Sequence, residues 1–158
     1  MSAAAGTFAA VFAALYVAHS VGDHWVQTHA QALAKGRPGW PGRLADARHV
    51  ATLTATKLIV LLPVAALLGL RLSLLGLLAG MGVDALSHWW ADRRSTLAAL
   101  ARVTGKAEFY DLGTPAHPAH PVTGDGSTAA HLGTGAYALD RSFHHLWLLV
   151  AALLITLL

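Results

Sequence analysis

Apolar residues fall into four long runs along the chain, each close to the ~20 residues that an α-helix needs to cross a bilayer. The runs cover about residues 7–26, 49–70, 72–91 and 142–158. The second and third runs are joined only by Leu70-Arg71-Leu72, which leaves room for a tight helical hairpin. The pattern predicts an all-α protein, an integral membrane four-helix bundle in which residues 1–158 form a single membrane domain.

The segments between the runs carry different signals. The first cannot form one long helix, because it contains a cluster of helix-breaking residues: Gly36, Pro38, Gly39, Pro41 and Gly42. After the third run, residues 95–103 predict a short amphipathic helix that Ser95 caps and Gly105 ends. Residues 104–140 then form a long loop between the third and fourth spans, rich in Gly, Pro, Thr and His. Loops of this length are usually functional or disordered.

Composition agrees with a protein that lies mostly in lipid. Of the 158 residues, 55% are hydrophobic and only 12% are charged, and the mean hydropathy is +0.52, whereas a soluble domain carries about 25% charged residues. The net charge of +3 comes from basic residues in the first and third connections. Because Lys and Arg accumulate in cytoplasmic loops, we predict that both connections are cytoplasmic and both termini outside. Insertion explains this charge, so nucleic acid is not an expected partner.

His and Asp recur four residues apart near the ends of three runs. These stripes are His19, Asp23 and Gln27 in the first run, Asp84, His88 and Asp92 in the third, and Asp140 and His144 in the fourth. Residues four apart share one helical face, so each helix presents a His/carboxylate pair to a neighbour. With the predicted orientation, all of them and His49 lie toward the cytoplasmic end, while the outer halves are almost purely Ala, Leu, Val and Gly.

Two charged residues lie deeper in the predicted spans. Lys57 is eight residues inside the second run and Asp84 about eight inside the third, a depth of roughly 12 Å at the rise of an α-helix. A lone charge there costs at least about 2.5 kcal/mol, so Lys57 is predicted to be the charge partner of Asp84. Gly76 and Gly80 continue the Asp84 stripe and allow close helix approach, so this face is predicted to point inward.

Imidazole and carboxylate groups in this arrangement favour a divalent metal ion, held by nitrogen and oxygen because the chain has no cysteine. The predicted metal ligands are His19, Asp23, His88, His144, Asp84 and Asp140. The predicted catalytic groups are Asp84, Asp140, His49 and Lys57. Asp84 and Asp140 are interpreted as further ligands or the general base, and His49 as a ligand or proton carrier. Zinc is the first expectation, with iron and manganese compatible, and there are enough groups for two ions or for one ion with supporting residues.

Other polar residues are predicted to stand apart from this site. Of the neighbours His144 and His145, only His144 is expected to point inward, because it stacks on Asp140. The remaining histidines and two carboxylates are predicted to be interfacial or solvated: His24, His29, His117, His120, His131, Asp46 and Asp111.

The chain resembles a family of small bacterial multi-pass membrane proteins catalogued as a domain of unknown function, particularly its actinobacterial members. The resemblance rests on the HxxxD, DxxxH and DxxxHH motifs within Ala18–Gln27, Asp84–His88 and Gly133–Trp147, with Lys35 and His49. It implies a multi-pass fold in the bacterial inner (cytoplasmic) membrane and supplies no established activity. The motifs are also loosely similar to those of membrane-embedded metal-dependent hydrolases, an analogy of architecture.

Three functions are compatible with these patterns. The first is a metal-dependent hydrolase whose site opens to the cytoplasm and takes an amphiphilic or lipid-linked substrate from the surrounding membrane lipids. The second is a metal-ion or proton transporter, which needs polar residues through the full membrane thickness or a homo-oligomer that builds a pore. The third is a non-catalytic membrane scaffold or regulatory protein whose basic loops bind a partner or nucleic acid, and in which the polar cluster is purely structural.

Overall fold

The fold is known from a computed structural model, which describes residues 3–112 and 134–158. These residues form helices and turns without a β-strand. The elements are α1 (Ala3–Val21), continued by a π-helical turn (Gly22–Val26), then α2 (His29–Ala34), α3 (Gly39–Leu67), α4 (Leu74–Asp92), α5 (Ser95–Val103), α6 (Ala107–Asp111) and α7 (Gly135–Leu157). The predicted all-α class is therefore confirmed.

The four long helices pack against one another: α1 contacts α3 and α7, and α4 contacts α3 and α7. Within residues 3–112 and 134–158, three stretches are long and apolar enough to cross a membrane, Ala3–Val26, Gly39–Leu67 and Gly135–Leu157. Helix α4 is not one of them, and its second half carries the polar residues Asp84, Ser87, His88 and Asp92. Three of the four predicted spans thus have a helix of suitable length and composition.

Polar and apolar residues separate along these helices. The apolar core joins the middle of α1 to the second half of α7, with contributions from α3 and α4; its centre is Val11, Leu15, Leu61, Leu148 and Ile155. The buried His and Asp residues instead come from the last turns of α1, the first half of α3, the second half of α4 and the first half of α7. One end of the helix cluster is therefore apolar throughout its interior, and the other end is polar.

Helix boundaries differ from the sequence-based expectation in three places. Helix α3 begins at Gly39 rather than at residue 49, because Pro41 lies in its first turn, where a missing N–H group is harmless. Helix α7 begins at Gly135 rather than at residue 142, and the Thr134 hydroxyl caps it by accepting a hydrogen bond from the Tyr137 N–H at 3.1 Å. Helix α5 spans the predicted residues, but Arg94 occupies the capping position instead of Ser95.

The long connection before α7 is shorter than predicted at both ends. Helix α6 (Ala107–Asp111) lies within the predicted loop, and residues 135–140, the last of that loop, belong to α7. The loop histidines His117, His120 and His131 lie outside the described residues. Only the two ends of the predicted loop therefore contribute to the structure described below.

Close packing of α4 against α7 depends on glycine. A Cβ atom at Gly80 would lie 2.7 Å from the Ala151 carbonyl oxygen, whereas a Cβ atom at Gly82, on the same helix, would meet nothing within 4 Å. The prediction that the Gly76 and Gly80 stripe permits close helix approach is confirmed, and α7 is the partner.

We expect Gly80→Ala to lower the free energy of unfolding in detergent by about 1–3 kcal/mol, because the added methyl group pushes α4 away from α7. Gly82→Ala is the matched control and should be neutral or slightly stabilising, because alanine favours a helix more than glycine does. Thermal unfolding followed by circular dichroism measures both. Equal midpoints for the two variants would contradict the close α4–α7 contact.

Candidate metal centre

The π-helical turn at the end of α1 positions Asp23. Single π-helical turns within α-helices occur frequently at functional sites, because the extra residue per turn redirects the side chains that follow. The turn packs closely on α3, since a Cβ atom at Gly22 would lie 2.3 Å from the Leu53 Cδ1 atom. Asp23 thereby reaches His49, on α3, with its Oδ1 atom 3.0 Å from the His49 Nε2 atom.

Helix α4 supplies the other side of the site. His88 and Asp92 lie four residues apart on one face, and the His88 Nε2 and Asp92 Oδ2 atoms are 3.2 Å apart. The His88 Nε2 atom is also 3.1 Å from the His49 Nε2 atom and 3.6 Å from the Asp23 Oδ1 atom. The His49 Nε2 and Asp92 Oδ2 atoms are 3.4 Å apart. Donor atoms of Asp23, His49, His88 and Asp92 therefore converge on one point.

The spacing of these four atoms matches a tetrahedral ion site. Ligand atoms at 2.0–2.1 Å from a tetrahedral zinc ion lie about 3.3 Å from one another. The five distances given above range from 3.0 to 3.6 Å. Asp23, His49 and His88 form one group of ligand atoms able to hold a metal ion, and His88, Asp92 and His144 form a second.

Hydrogen bonding, which joins the His49 and His88 rings, accounts for only part of this convergence. The Asp23 Oδ1 and Asp92 Oδ2 atoms are buried and make no hydrogen bond of acceptable geometry to the described residues, although imidazole nitrogens lie beside them. His49 is 0% exposed, His88 1% and Asp92 4%. A buried acceptor without a partner costs about 1–3 kcal/mol, so a cation among these atoms would satisfy groups that the protein leaves unsatisfied.

Two further predicted ligands, His19 and His144, lie beside this cluster but do not belong to the group formed by Asp23, His49 and His88. The His19 Nε2 atom is 3.4 Å from the Asp23 Oδ2 atom, the oxygen that points away from His49. The His144 ring stacks on the His88 ring at 4.0 Å between centroids. His144 is 3% exposed and His145 only partly buried, which confirms that His144 points inward. The Asp140 Oδ1 atom lies 3.5 Å from the His144 Nε2 atom, which makes no hydrogen bond to the described residues.

Asp84 and Lys57 lie apart from both ligand groups. The Lys57 Nζ atom donates a hydrogen bond to the Asp84 Oδ2 atom at 2.6 Å, and both side chains are almost completely buried. The predicted charge pair is confirmed by this contact. The structure does not place Asp84 with the metal-ligand groups, because Lys57 already holds its carboxylate one turn further into the helix cluster.

Sequence reasoning left two residues out of the site. Asp92 belongs to the Asp84/His88 stripe, so its four-residue spacing was a usable signal. Lys35 had no comparable signal; its Nζ atom lies 2.9 Å from the Asp92 Oδ1 atom, from the turn that follows α2. The prediction of a surface position for Asp46 was wrong, because its carboxylate is 0% exposed and faces the Arg93 Nη1 atom at 3.9 Å.

A cavity of about 420 Å³ opens beside the candidate centre. Asp92 and Asp140 line it from the side of the cluster, and the cationic side chains of Lys35 and Arg94 line it with the Tyr137 ring. A molecule in this cavity would therefore be in reach of both the ligand group and the Asp140–His144 pair. Comparison of the chain with family models, curated proteins and solved structures gives no match.

Proposed function

We propose that this protein is an integral membrane protein that binds a divalent metal ion through Asp23, His49, His88 and Asp92 and hydrolyses an amphiphilic substrate. The observation that carries the proposal is the convergence of the four ligand atoms, since five of their six mutual distances are 3.0–3.6 Å. Nitrogen and oxygen ligands suit zinc first, and iron and manganese also. The four long helices form the membrane bundle, with the site toward the cytoplasm as the basic connections favour.

A bound divalent ion supplies the electrophilic chemistry that hydrolysis needs, because it polarises a substrate oxygen and lowers the pKa of water. The side chains around the ion serve as proton acceptors and donors. Asp140 lines the cavity and lies 3.5 Å from the His144 Nε2 atom, so this pair is placed to accept a proton from an attacking water. In the overall reaction the water oxygen bonds to the substrate's carbonyl or phosphoryl centre, and the ester oxygen leaves with a proton.

A transport function is less well supported by the distribution of polar groups. Beyond the Lys57–Asp84 pair, the buried side chains of the described residues are apolar, with Val11, Leu61 and Leu148 in the centre of the core. An ion that reached the cluster would therefore meet no polar route through the rest of a single chain. A closed apolar end suits a site that exchanges molecules with one face of the membrane.

Activity measurements on purified protein test the hydrolase proposal. Protein in neutral detergent, loaded separately with zinc, manganese and ferrous iron, should hydrolyse a long-chain nitrophenyl carboxylate or phosphate ester. Asp140→Asn should lower the rate by about 10²-fold or more while retaining the metal, because it removes a proton acceptor. Turnover by Asp140→Asn equal to wild type, or no turnover with any of the metals, would contradict it. Metal flux into proteoliposomes without hydrolysis would favour the transporter.

Metal binding should also stabilise the fold. At a free metal concentration about 100 times Kd, binding adds about 2.7 kcal/mol to the free energy of unfolding, and a chelator should remove that increment and lower the melting temperature. The same treatment of a His49→Ala variant should change the melting temperature little. An equal response of both proteins to chelator would show that the ion binds elsewhere.

A further inference from the structure

The substrate-sized space beside the candidate centre continues into an apolar groove. The cavity next to Asp92 shares Leu97 with a smaller cavity between α5 and α7. That cavity shares Leu100 and Phe143 with a groove of about 520 Å³ between α4, α5 and α7. Trp90 and Trp147 also line the groove. The three spaces therefore adjoin one another through shared lining residues, from polar groups at the centre to an apolar surface on the outside of the helices.

The polar end of this series carries two cationic side chains, Lys35 and Arg94, beside the carboxylates of Asp92 and Asp140. The Lys35 side chain is 13% exposed and holds the Asp92 Oδ1 atom at 2.9 Å. The Arg94 Nη2 atom donates one hydrogen bond, to the Ala32 carbonyl oxygen at 3.3 Å, and a guanidinium has five N–H donors in total. The hydroxyl of Tyr137 accepts a hydrogen bond from the Arg141 Nη1 atom, so a third cation lies behind the cavity wall.

Arg94 occupies this position at a conformational cost. Its φ of 57° and ψ of −48° lie in a region that L-residues other than glycine avoid. The Ser95 N–H donates to the Arg93 carbonyl oxygen, which closes a γ-turn of the rare, strained kind around Arg94. Among the described residues, Arg94 is the one non-glycine residue with positive φ. Strain of this kind concentrates at functional sites, and here it holds a guanidinium at the cavity.

Resting on the proposed function, we propose that the connected cavities bind a phosphorylated amphiphile with a single hydrocarbon chain in the groove. The phosphate group lies in the cavity between Arg94, Lys35 and the metal centre, and the chain lies along Phe143 and Trp147. Arg and Lys beside a divalent cation are the groups that bind phosphate in proteins. The groove is apolar and, between helices that contact lipid, accessible to a chain that enters sideways from the bilayer.

Quenching of tryptophan fluorescence tests this binding without requiring turnover. The probes are a brominated dodecyl phosphate and the brominated alcohol of the same chain, added to protein in neutral detergent. Inorganic phosphate is the competitor. Bromine quenches tryptophan on contact, so both chains report on Trp90 and Trp147. The phosphate probe should bind at least tenfold more tightly than the alcohol, and Trp147→Phe should reduce the quenching. Equal binding of the two probes would overturn the proposal, and so would inorganic phosphate competing as strongly as dodecyl phosphate.

Arg94→Gly separates a role in binding from a role in folding. Glycine adopts positive φ without strain, so this variant should melt at the same temperature as wild type or higher. It should nevertheless lose at least tenfold in affinity for dodecyl phosphate and keep its affinity for the alcohol. Arg43→Gln, which removes an exposed cation outside the cavity lining, is the control and should bind like wild type. Unchanged binding by Arg94→Gly would overturn the proposal.

The same titration distinguishes this inference from the proposed function. If protein treated with chelator still prefers the phosphate probe tenfold through Arg94, the anion site is supported even where the hydrolase proposal fails. If metal-loaded protein hydrolyses esters but shows no preference for the phosphate probe, the anion site is wrong and the hydrolase proposal stands.

Discussion

A His88→Ala variant should lose more than about 100-fold in affinity for a divalent ion, because even supporting residues around a metal cost 10–100-fold when they are replaced. His88 is the residue common to both candidate ligand groups, so its removal takes a ligand from each of them. Competition with a fluorescent chelator measures the affinity for zinc, manganese and iron in turn.

The matched control is His29→Ala. His29 is exposed at the start of α2 and belongs to neither ligand group, so its removal should leave the affinity unchanged. If His88→Ala and His29→Ala bind metal equally well, the ion does not lie among the buried histidines. Loss of binding in both variants would point to general misfolding, which thermal unfolding of the two proteins would reveal.

Lys57→Met should cost about 3–5 kcal/mol of the free energy of unfolding, because it leaves the Asp84 carboxylate buried without its partner. The two charges meet at 2.6 Å, and the Lys57 side chain is 0% exposed. Replacing both residues, in Lys57→Met/Asp84→Leu, should restore most of the stability, since a buried ion pair can be exchanged for apolar residues at little cost. Chemical unfolding in mixed detergent micelles measures the three proteins.

This series also separates a structural pair from a functional one. The double variant should bind metal with wild-type affinity, because neither residue belongs to the ligand groups. A double variant that is stable but cannot bind metal would return Asp84 to the metal centre. A single Lys57→Met variant as stable as wild type would mean that Asp84 has another partner.

Much of the helical architecture follows from the sequence pattern, because the apolar runs and the four-residue spacing of His and Asp are properties of single helices. The pattern predicted which face of α4 points inward, and the contact of Gly80 with Ala151 agrees with that prediction. It also predicted the Lys57–Asp84 pair, since two opposite charges at equal depth stabilise each other in apolar surroundings. Local spacing was sufficient for these features.

The choice of ligands could not be read from spacing alone. Asp84, His88 and Asp92 share one face, and the height at which α4 packs against α3 decides which carboxylate accompanies His88. The structure places the Asp92 carboxylate beside His88, and Lys57 of α3 pairs with Asp84. The choice depends on the register between two helices that are far apart in sequence. The periodicity of a single helix does not report that register.

The sequence pattern also did not predict that α3 begins at Gly39, or that Lys35 contacts Asp92. Gly39 and Pro41 suggested a loop, yet both fit in the first turn of a helix that tertiary contacts stabilise. Lys35 lies in the turn before that helix, and its position depends on how the turn folds back on Asp92. Sequence patterns describe such turns poorly, because the contacts that fix them are not local.

Elemental analysis of the wild-type protein, extracted from membranes and purified without chelators, tests the central claim most directly. The arrangement of Asp23, His49, His88 and Asp92 predicts at least one tightly held divalent ion per chain, lost in the His88→Ala variant purified in parallel. Protein that is folded and contains no stoichiometric zinc, iron or manganese, and takes up none on titration, would contradict it.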